Sequence, residues 1–276
     1  MTVPASSRLP VSALVVIHNE AKLLDRCLRS CADLVDDIVV IHDGPCNDES
    51  LIIAQKYTGR IFIRPRIGEA EPHRVFGIKQ CRHDWILFLD GDEFLSTDIR
   101  SHLRDWITSQ TCDAYEFAWP TWYRGRYYQA FSKRALWRKS RFFFIGAPHE
   151  YAKPCDDAAQ ICRVSSRLEH KPLYDNITWQ KWRSKWLPWA KIHASYYQRP
   201  FSSLETYNCS LKDWEPVIRY RLKYPLLLGV CGSFGGLMLL GLWQWLRHPH
   251  YVFLKSTVLM ALYHSTVYYY AWKQHP

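Results

Sequence analysis

Several things are missing from this 276-residue chain, and each absence narrows what it can be. It has nine cysteines but no Cys-x-x-Cys pair and no cysteine–histidine spacing of the zinc-holding kind, which excludes a zinc finger or ribbon. Nine is odd and the spacing offers no disulfide framework, so the cysteines point to a reduced, cytosolic catalytic portion. Cys27 and Cys31 share a helix face and are read as packing residues rather than ligands. No apolar stretch precedes Val11 in the opening "MTVPASSRLP", so no cleavable signal peptide is expected. No internal repeat and no low-complexity tract occurs, and 48% hydrophobic residues rule out disorder. Acidic residues are in deficit, 26 against 36 lysines and arginines, giving a net charge of +10. That balance implies anionic partners: nucleic acid, phosphate-bearing substrates or an anionic membrane face. Nucleic acid is disfavoured, because the basic residues are dispersed and a hydrophobic tail follows them.

The first hundred residues alternate two periods. Apolar runs at "VSALVVI" (11 to 17), "DIVVI" (37 to 41), "IFI" (61 to 63) and "WILFL" (85 to 89) read as buried strands. Between them lie helical patterns: Leu23, Leu24, Cys27, Leu28 and Cys31, a short helix from about Glu49, and one through Val75, Phe76 and Ile78. Alternating strand and helix predict a parallel α/β sheet with right-handed crossovers, its ligand loops on one edge. From about 114 to 150 the pattern changes to short aromatic strands, "YEFAW" and "RFFFI", joined by basic loops suited to an acceptor side.

The fourth strand ends in "DGDE": Asp90, Asp92 and Glu93 with only Gly91 between the first two. Like charges cluster at a cost unless something positive joins them. Carboxylates at the C-terminal end of a parallel strand sit where open α/β sheets bind ligands. Asp90 and Asp92 on a turn can present oxygens to one Mg²⁺ or Mn²⁺, the ion completing its shell with water and substrate phosphate. Such an ion suits a nucleotide diphosphate leaving group. A helix N-cap cluster is the weaker alternative, since a helix starting near Thr97 needs one acid and lies too far downstream. Asn19 and Glu20 follow the first strand and Asp43 the second, so they border the same crevice, where a carboxylate can take a ribose hydroxyl or a base N–H. Asp48 reads as a helix cap. Arg74, in "EPHRVFGIK", is either a phosphate partner or a solvated helix residue.

"VVIHNEAKLLDRCLRSCADLVDDIVVIHDGPCNDES" followed by "GEAEPHRVFGIKQCRHDWILFLDGDEFL" resembles family 2 glycosyltransferases of the GT-A fold, α/β nucleotide-diphospho-sugar transferases with a Rossmann-like mixed sheet. It is similar to the branch containing lipopolysaccharide-core glucosyltransferases, whose pattern runs from His-Asn-Glu after strand one to Asp-x-Asp-Glu after a Trp-led strand. The resemblance covers about residues 11 to 105 well and weakens to about 195. It implies that Glu20 and Asp43 hold the nucleoside and that Asp90 and Asp92 form the metal-binding motif. "IGAPHEY" (145 to 151) resembles the branch's Gly-x-x-His-Glu element, which puts His149 and Glu150 on the far side of the site. His149 is then a further metal or diphosphate partner, or an ordinary loop histidine. Glu150 is the base that takes the acceptor hydroxyl proton, or the partner of a nearby arginine. Both can serve one site only if the chain turns there. His170 in "RLEHKP" has a counterpart in the branch and receives no chemistry. "DGPCNDES" departs from the usual "DSGSTDGT", Pro45 and Cys46 replacing small turn residues.

Downstream, "NITWQKWRSKWLPWAKIHASYY" (176 to 197) spaces Trp179, Trp182, Trp186 and Trp189 helically among lysines and arginines, with Pro188 expected to kink it. The stripe suits a lipid interface and equally a packed core. No charge occurs from Tyr224 to Leu246, a length that fits a membrane span; Gly232 and Gly236 would admit a second helix, and Arg219, Arg221 and Lys223 flank the run. Tyr251 to Trp272 is a weaker span, and "RHPH" (247 to 250) a tight turn. The expected organisation is a catalytic domain over 1–175, a Trp/Lys-rich helical region over 176–218 and a hydrophobic hairpin over 219–276, either crossing the bilayer or lying within one leaflet. The expected protein is a metal-dependent inverting glycosyltransferase at the cytoplasmic face of the inner membrane, moving a sugar from a nucleotide-sugar, UDP-linked donor to a lipid-linked or envelope-glycan hydroxyl. Its rivals are transfer to a polyprenyl phosphate and a non-catalytic membrane glycan-binding protein.

Overall fold

The computed structural model describes residues 8–197, 199, 201–210, 226–247 and 250–273. They fall into two compact units, one of residues 1–173 with 205–209, the other of 174–204 with 210–276. The 176–218 and 219–276 segments therefore belong to one unit, and Glu205–Cys209 returns to the first.

In the first unit β1 (Leu9–Ile17), α1 (Ala21–Arg29), β2 (Val35–Asp43), α2 (Ser50–Gln55), β3 (Ile61–Arg64), α3 (Glu71–Gln80) and β4 (Trp85–Asp90) alternate as the periodicity predicts. The runs lack polar alternation because both faces are covered: Val11, Val15 and Leu87 join one buried cluster with Leu24 and Leu28 of α1. Leu14, Val16, Ile86 and Phe88 join another with Val75 and Ile78 of α3. All three pairings among β1–β4 are parallel, with Val16 beside Asp90 and Ile17 beside His42, so these strands end on a common rim. That rim carries Asn19, Glu20, Asp43 and Asp90.

Then come β5 (Glu93–Leu95), α4 (Thr97–Ser109), β6 (Ala114–Tyr123), β7 (Arg126–Arg138), β8 (Phe142–Ile145), β9 (Lys153–Pro154) and β10 (Ile161–His170). Ser96 caps α4 by accepting the Ile99 N–H, as a start near Thr97 requires. "RFFFI" forms the short strand β8 as expected, whereas "YEFAW" belongs to β6, which with β7 makes one long antiparallel hairpin, turned by Arg124 (φ 47°) and Gly125 (φ 76°) as a two-residue loop of positive φ. The eight-stranded sheet runs β3-β2-β1-β4-β7-β6-β10-β5, mixed rather than wholly parallel. Its last strand is the surprise. β5 follows β4 after only Gly91 and Asp92, yet it pairs with β10 at the opposite end of the order. Three Cα–Cα steps reach about 11 Å, whereas four strand spacings cover about 19 Å. The sheet must curl until β10 and β5 stand beside the end of β4.

One expectation about cysteine changes. Cys112 and Cys162 are joined in a disulfide, Cα atoms 5.9 Å apart, so the reading of an unpaired, reduced set fails for this pair. They lie where β6 and β10 begin, the end of the sheet away from the rim. Cys27 and Cys31 are buried in the core, as packing residues should be. In the second unit a π-helical turn, Trp182–Trp186, runs into α5 (Leu187–Tyr196), and Pro188 sits in the first turn of α5. The chain is already helical ahead of it, so the missing N–H of Pro188 falls inside a continuous helical run, and the π-helical turn just before it is the interruption expected there.

Glu205–Cys209 supplies β11 (Thr206–Tyr207), which with β8 and β9 makes a three-stranded sheet. Gly146 beside it has no room for a side chain: a Cβ would lie 2.9 Å from the Glu205 carbonyl oxygen and 3.0 Å from Pro72 Cα. In the second unit α6 (Leu226–Arg247) packs on α7 (Tyr251–Lys273), and α5 packs on α7 through Ala190, Ala194, Tyr263, Val267 and Ala271, with Trp186 and Trp189 against that cluster. Trp179 is exposed. The close approach of α7 falls on Gly229 and Gly241, against Tyr268 and Thr257; Gly232 and Gly236 face open space. The G-x-x-x-G element is thus not the seam of this hairpin. Among the described residues, Leu228–Arg247 is the one stretch long and apolar enough to cross a membrane. Arg219, Arg221, Lys223 and the centre of the "RHPH" turn lie outside the described residues.

Candidate active site

Asp90 ends β4 pointing into a crevice lined by cations. Its Oδ1 accepts from Arg74 at 2.5 Å and its Oδ2 from the Lys133 ammonium at 2.7 Å. Lys133, on β7, also reaches both oxygens of Glu93 at 2.7 Å. Glu93 is wholly buried and takes two further donors, the Trp119 indole N–H at 2.7 Å and the Asp90 backbone N–H at 2.9 Å. Burial would push the Asp90 carboxyl up, but Lys133 and then Arg74 hold it far below the usual carboxylate range. Glu93 is shifted the other way, raised by burial against the pull of Lys133. Lys133 itself stays charged, Asp90 and Glu93 overcoming its burial. Arg74 is therefore not a solvated helix residue: it is held as the counter-ion of Asp90, with Glu71 3.7 Å away.

Asp92 takes a different partner. His170, paired across from Glu93 in the β10–β5 register, places its Nε2 3.3 Å from Asp92 Oδ2. The imidazole stacks on Trp119, ring centroids 4.5 Å apart and 23° between planes, while its buried Nδ1 has no hydrogen-bond partner. Neither tautomer is locked, so Nε2 can donate to Asp92 or offer its lone pair to a cation. Asp92 and His170 would supply an oxygen and a nitrogen donor to a divalent ion, which would take the rest of its shell from water and phosphate. The expected set of Asp90, Asp92 and His149 is not assembled: among the described residues no three His, Cys, Asp or Glu side chains converge on one point.

Asp43 is also spent on protein donors. Ile67 N–H (2.7 Å) and His73 Nε2 (2.8 Å) reach Oδ1; Arg66 (2.8 Å) and Gly68 N–H (3.0 Å) reach Oδ2. That fills the roughly four acceptor positions of a carboxylate. Burial opposes ionisation, yet His73 and the two backbone N–H groups bring the pKa down to about 2. Asp43 thus shapes the 66–73 loop rather than reading a base. Asn19, at φ 54°, accepts the Asn47 N–H at 2.9 Å and so ties the loops after β1 and β2 together. Glu20 heads α1 and donates its N–H to Ser50 Oγ at 2.7 Å. Its side-chain stem would lie 3.1 Å from a Cβ on Gly91, which brings Glu20 against the "DGDE" turn and makes a larger residue there a tight fit.

The chain does turn at His149, whose φ is 62° and whose N–H donates to the buried Glu71 at 3.2 Å. Desolvation lowers the imidazole pKa, so the ring is neutral at pH 7, beside Glu71 and Arg74 rather than Asp92. Glu150 pairs with Lys153 at 2.6 Å, so its ion-pair partner is a lysine and not an arginine. Sequence reasoning passed over Lys133, Trp119 and His170 as site residues. Only His170 had a signal, its counterpart in the resembled branch.

These features sit in a chain that matches the family model of glycosyl transferase family 2 over residues 12–167, more than half its length, and the chain belongs to that family. An uncharacterized glycosyltransferase of Rickettsia bellii (strain RML369-C) is 30% identical over 105 residues, 38% of this chain and 35% of that one. A lipopolysaccharide core biosynthesis glycosyltransferase, LpsC, of Rhizobium meliloti (strain 1021) is 28% identical over 110 residues, 37% of this chain and 38% of that one. The match thus spans little more than a third of either relative. A crystal structure of S. aureus TarS superposes with a TM-score of 0.47 at 14% identity, covering 92% of this chain and 90% of that one.

Two substitutions test the electrostatics. Lys133→Met leaves the buried Glu93 without its cation and is expected to cost about 3–5 kcal/mol, a deficit that shrinks as pH falls and the carboxyl takes up a proton; urea unfolding across pH measures it. Asp43 has a folded pKa below the unfolded value of about 3.9, so its stabilisation is present above that pH and is lost as pH falls toward 2. Asp43→Asn is therefore expected to cost about 1–3 kcal/mol at pH 7 and progressively less in acid, read from the same titration.

Proposed function

We propose that this family 2 chain is an inverting glycosyltransferase that uses a UDP-linked sugar, depends on Mg²⁺ or Mn²⁺, and transfers to a hydroxyl on a lipid-linked or envelope-glycan acceptor. The reading rests on one observation above the others, the Asp92–His170 pair at the rim of β4. Asp92 and His170 would hold the ion, which when bound offsets charge on the departing diphosphate. The protein's own groups do the rest. Arg74 and Lys133 fix Asp90 at the crevice floor, where its remaining lone pairs can take a ribose hydroxyl. Asp43 holds the 66–73 loop in the shape that walls the nucleoside, and Glu20 closes the opposite side over Gly91. Glu150 takes the proton of the acceptor hydroxyl as it attacks the anomeric carbon from the face opposite the diphosphate, a single displacement that inverts that carbon.

Membrane attachment belongs to the same reading. The apolar surface of α6, with Leu228, Leu239 and Leu246 exposed, suits lipid, and the basic residues before it favour the cytoplasmic side. Tethering confines enzyme and lipid-linked acceptor to one surface. The disulfide lies at the end of the sheet away from this site.

A second reading, transfer to a polyprenyl phosphate, draws on the Glu150–Lys153 pair, because a phosphate nucleophile needs no base and Glu150 is already engaged. Glu150→Gln separates the two: turnover on a hydroxyl acceptor should fall about 10²–10⁴-fold, whereas near-normal turnover favours the phosphate. For the ion, Asp92→Asn and His170→Ala should each weaken Mn²⁺ binding about 10–100-fold, measured by electron paramagnetic resonance in the presence of UDP. Absence of thermal protection or hydrolysis with every nucleotide sugar tried, with or without metal, would overturn the enzyme assignment in favour of a glycan-binding protein.

A further inference from the structure

Most arginines around the sheet's rim are ion-paired, but among the described residues Arg26, Arg167 and Lys171 form no salt bridge. They share one face. Trp122 and Tyr127 oppose each other across the β6–β7 hairpin, rings 4.8 Å apart at 65°. The Lys171 ammonium lies 4.8 Å over Trp122 and the Arg167 guanidinium 5.5 Å from the Tyr127 ring. Arg26 donates to the Lys171 carbonyl at 3.0 Å and covers Phe94 at 4.2 Å. The patch adjoins the site directly: Lys171 follows His170, and its N–H donates to the Asp92 carbonyl at 3.0 Å. Glu169 lies among these groups, hydrogen-bonded to the Tyr127 hydroxyl and with a buried Oε2 that has no partner.

Three cations gathered beside one carboxylate repel one another unless an anion joins them. Paired aromatic rings with a carboxylate beside them offer what a sugar wants, an apolar edge for its C–H face and an acceptor for its hydroxyls. We propose that this face is the acceptor subsite, and that the acceptor saccharide carries a phosphate or carboxylate received by Arg26, Arg167 and Lys171 while its ring rests on Trp122 and Tyr127 and a hydroxyl donates to Glu169. The proposal rests on the transferase reading above and adds the charge of the acceptor. A bilayer surface fits less well, because both rings are half-buried and edge-to-face, a ledge rather than side chains free to insert.

The test uses the full chain with UDP present and two probes, octyl β-glucoside and its 6-phosphate, compared by calorimetric titration. The phosphorylated probe should bind about tenfold more tightly, and the preference should shrink as salt rises. Arg167→Met with Lys171→Met should abolish the preference, and Arg167→Lys with Lys171→Arg should keep it, which a merely structural role would not do. Equal affinities, no binding of either probe, or a preference that survives the double methionine variant would overturn the proposal. So would loss of UDP affinity in that variant, which would assign the patch to the donor. Phosphatidylglycerol vesicles bound with the same dependence on Lys171 and salt would overturn it in favour of a lipid headgroup. Hydrolysis of a nucleotide sugar by the wild-type protein without acceptor tells the failures apart: with hydrolysis, equal affinities sink only the acceptor's charge, and with neither hydrolysis nor nucleotide-sugar binding both readings fall.

Discussion

One ammonium group, that of Lys133, sits where three parts of the chain meet. It reaches Asp90 at the end of β4 and Glu93 at the start of β5, and it arrives from β7. Without it the curled sheet would press Asp90 against the wholly buried Glu93, and like charges so placed disfavour each other's ionisation. The cation therefore permits the curl, and the curl brings Trp119 of β6 and His170 of β10 to the turn that carries Asp92. The candidate metal ligands are the last link of that chain of contacts.

This explains which parts of the molecule the sequence disclosed. Trp85 to Leu89 declared a doubly covered strand because nothing polar interrupted it, and the "DGDE" that ends it could be placed on a rim by the parallel rule alone. Both inferences use neighbours in sequence. Lys133 and His170 lie 43 and 78 positions beyond Asp90 and Asp92, and reach them through antiparallel pairings that local patterns do not encode. The hairpin that delivers Lys133 turns on Arg-Gly instead of the Asn-Gly that would have marked it. Asp43 misled for a related reason: its position was right, but its donors, Ile67, Gly68 and His73, belong to a loop whose shape no periodicity gives.

The second unit repeats the lesson in apolar terms. Gly232 and Gly236 have the familiar spacing, yet Gly229 and Gly241 meet α7, because the bulk of Tyr268 and the branch of Thr257 decide where contact is needed. Trp186 and Trp189 pack while Trp179 stays exposed, so one stripe divides between packed and exposed positions.

The return of Glu205–Cys209 to the first unit bears on how the protein is made. Ribosomal synthesis delivers β8 some sixty residues before β11, and Arg64 waits longer still for Glu205, its partner at 2.6 Å. The first unit cannot finish folding as a nascent chain until α5 has left the exit tunnel, and cutting the gene after codon 173 would remove a strand from that unit instead of separating two independent pieces.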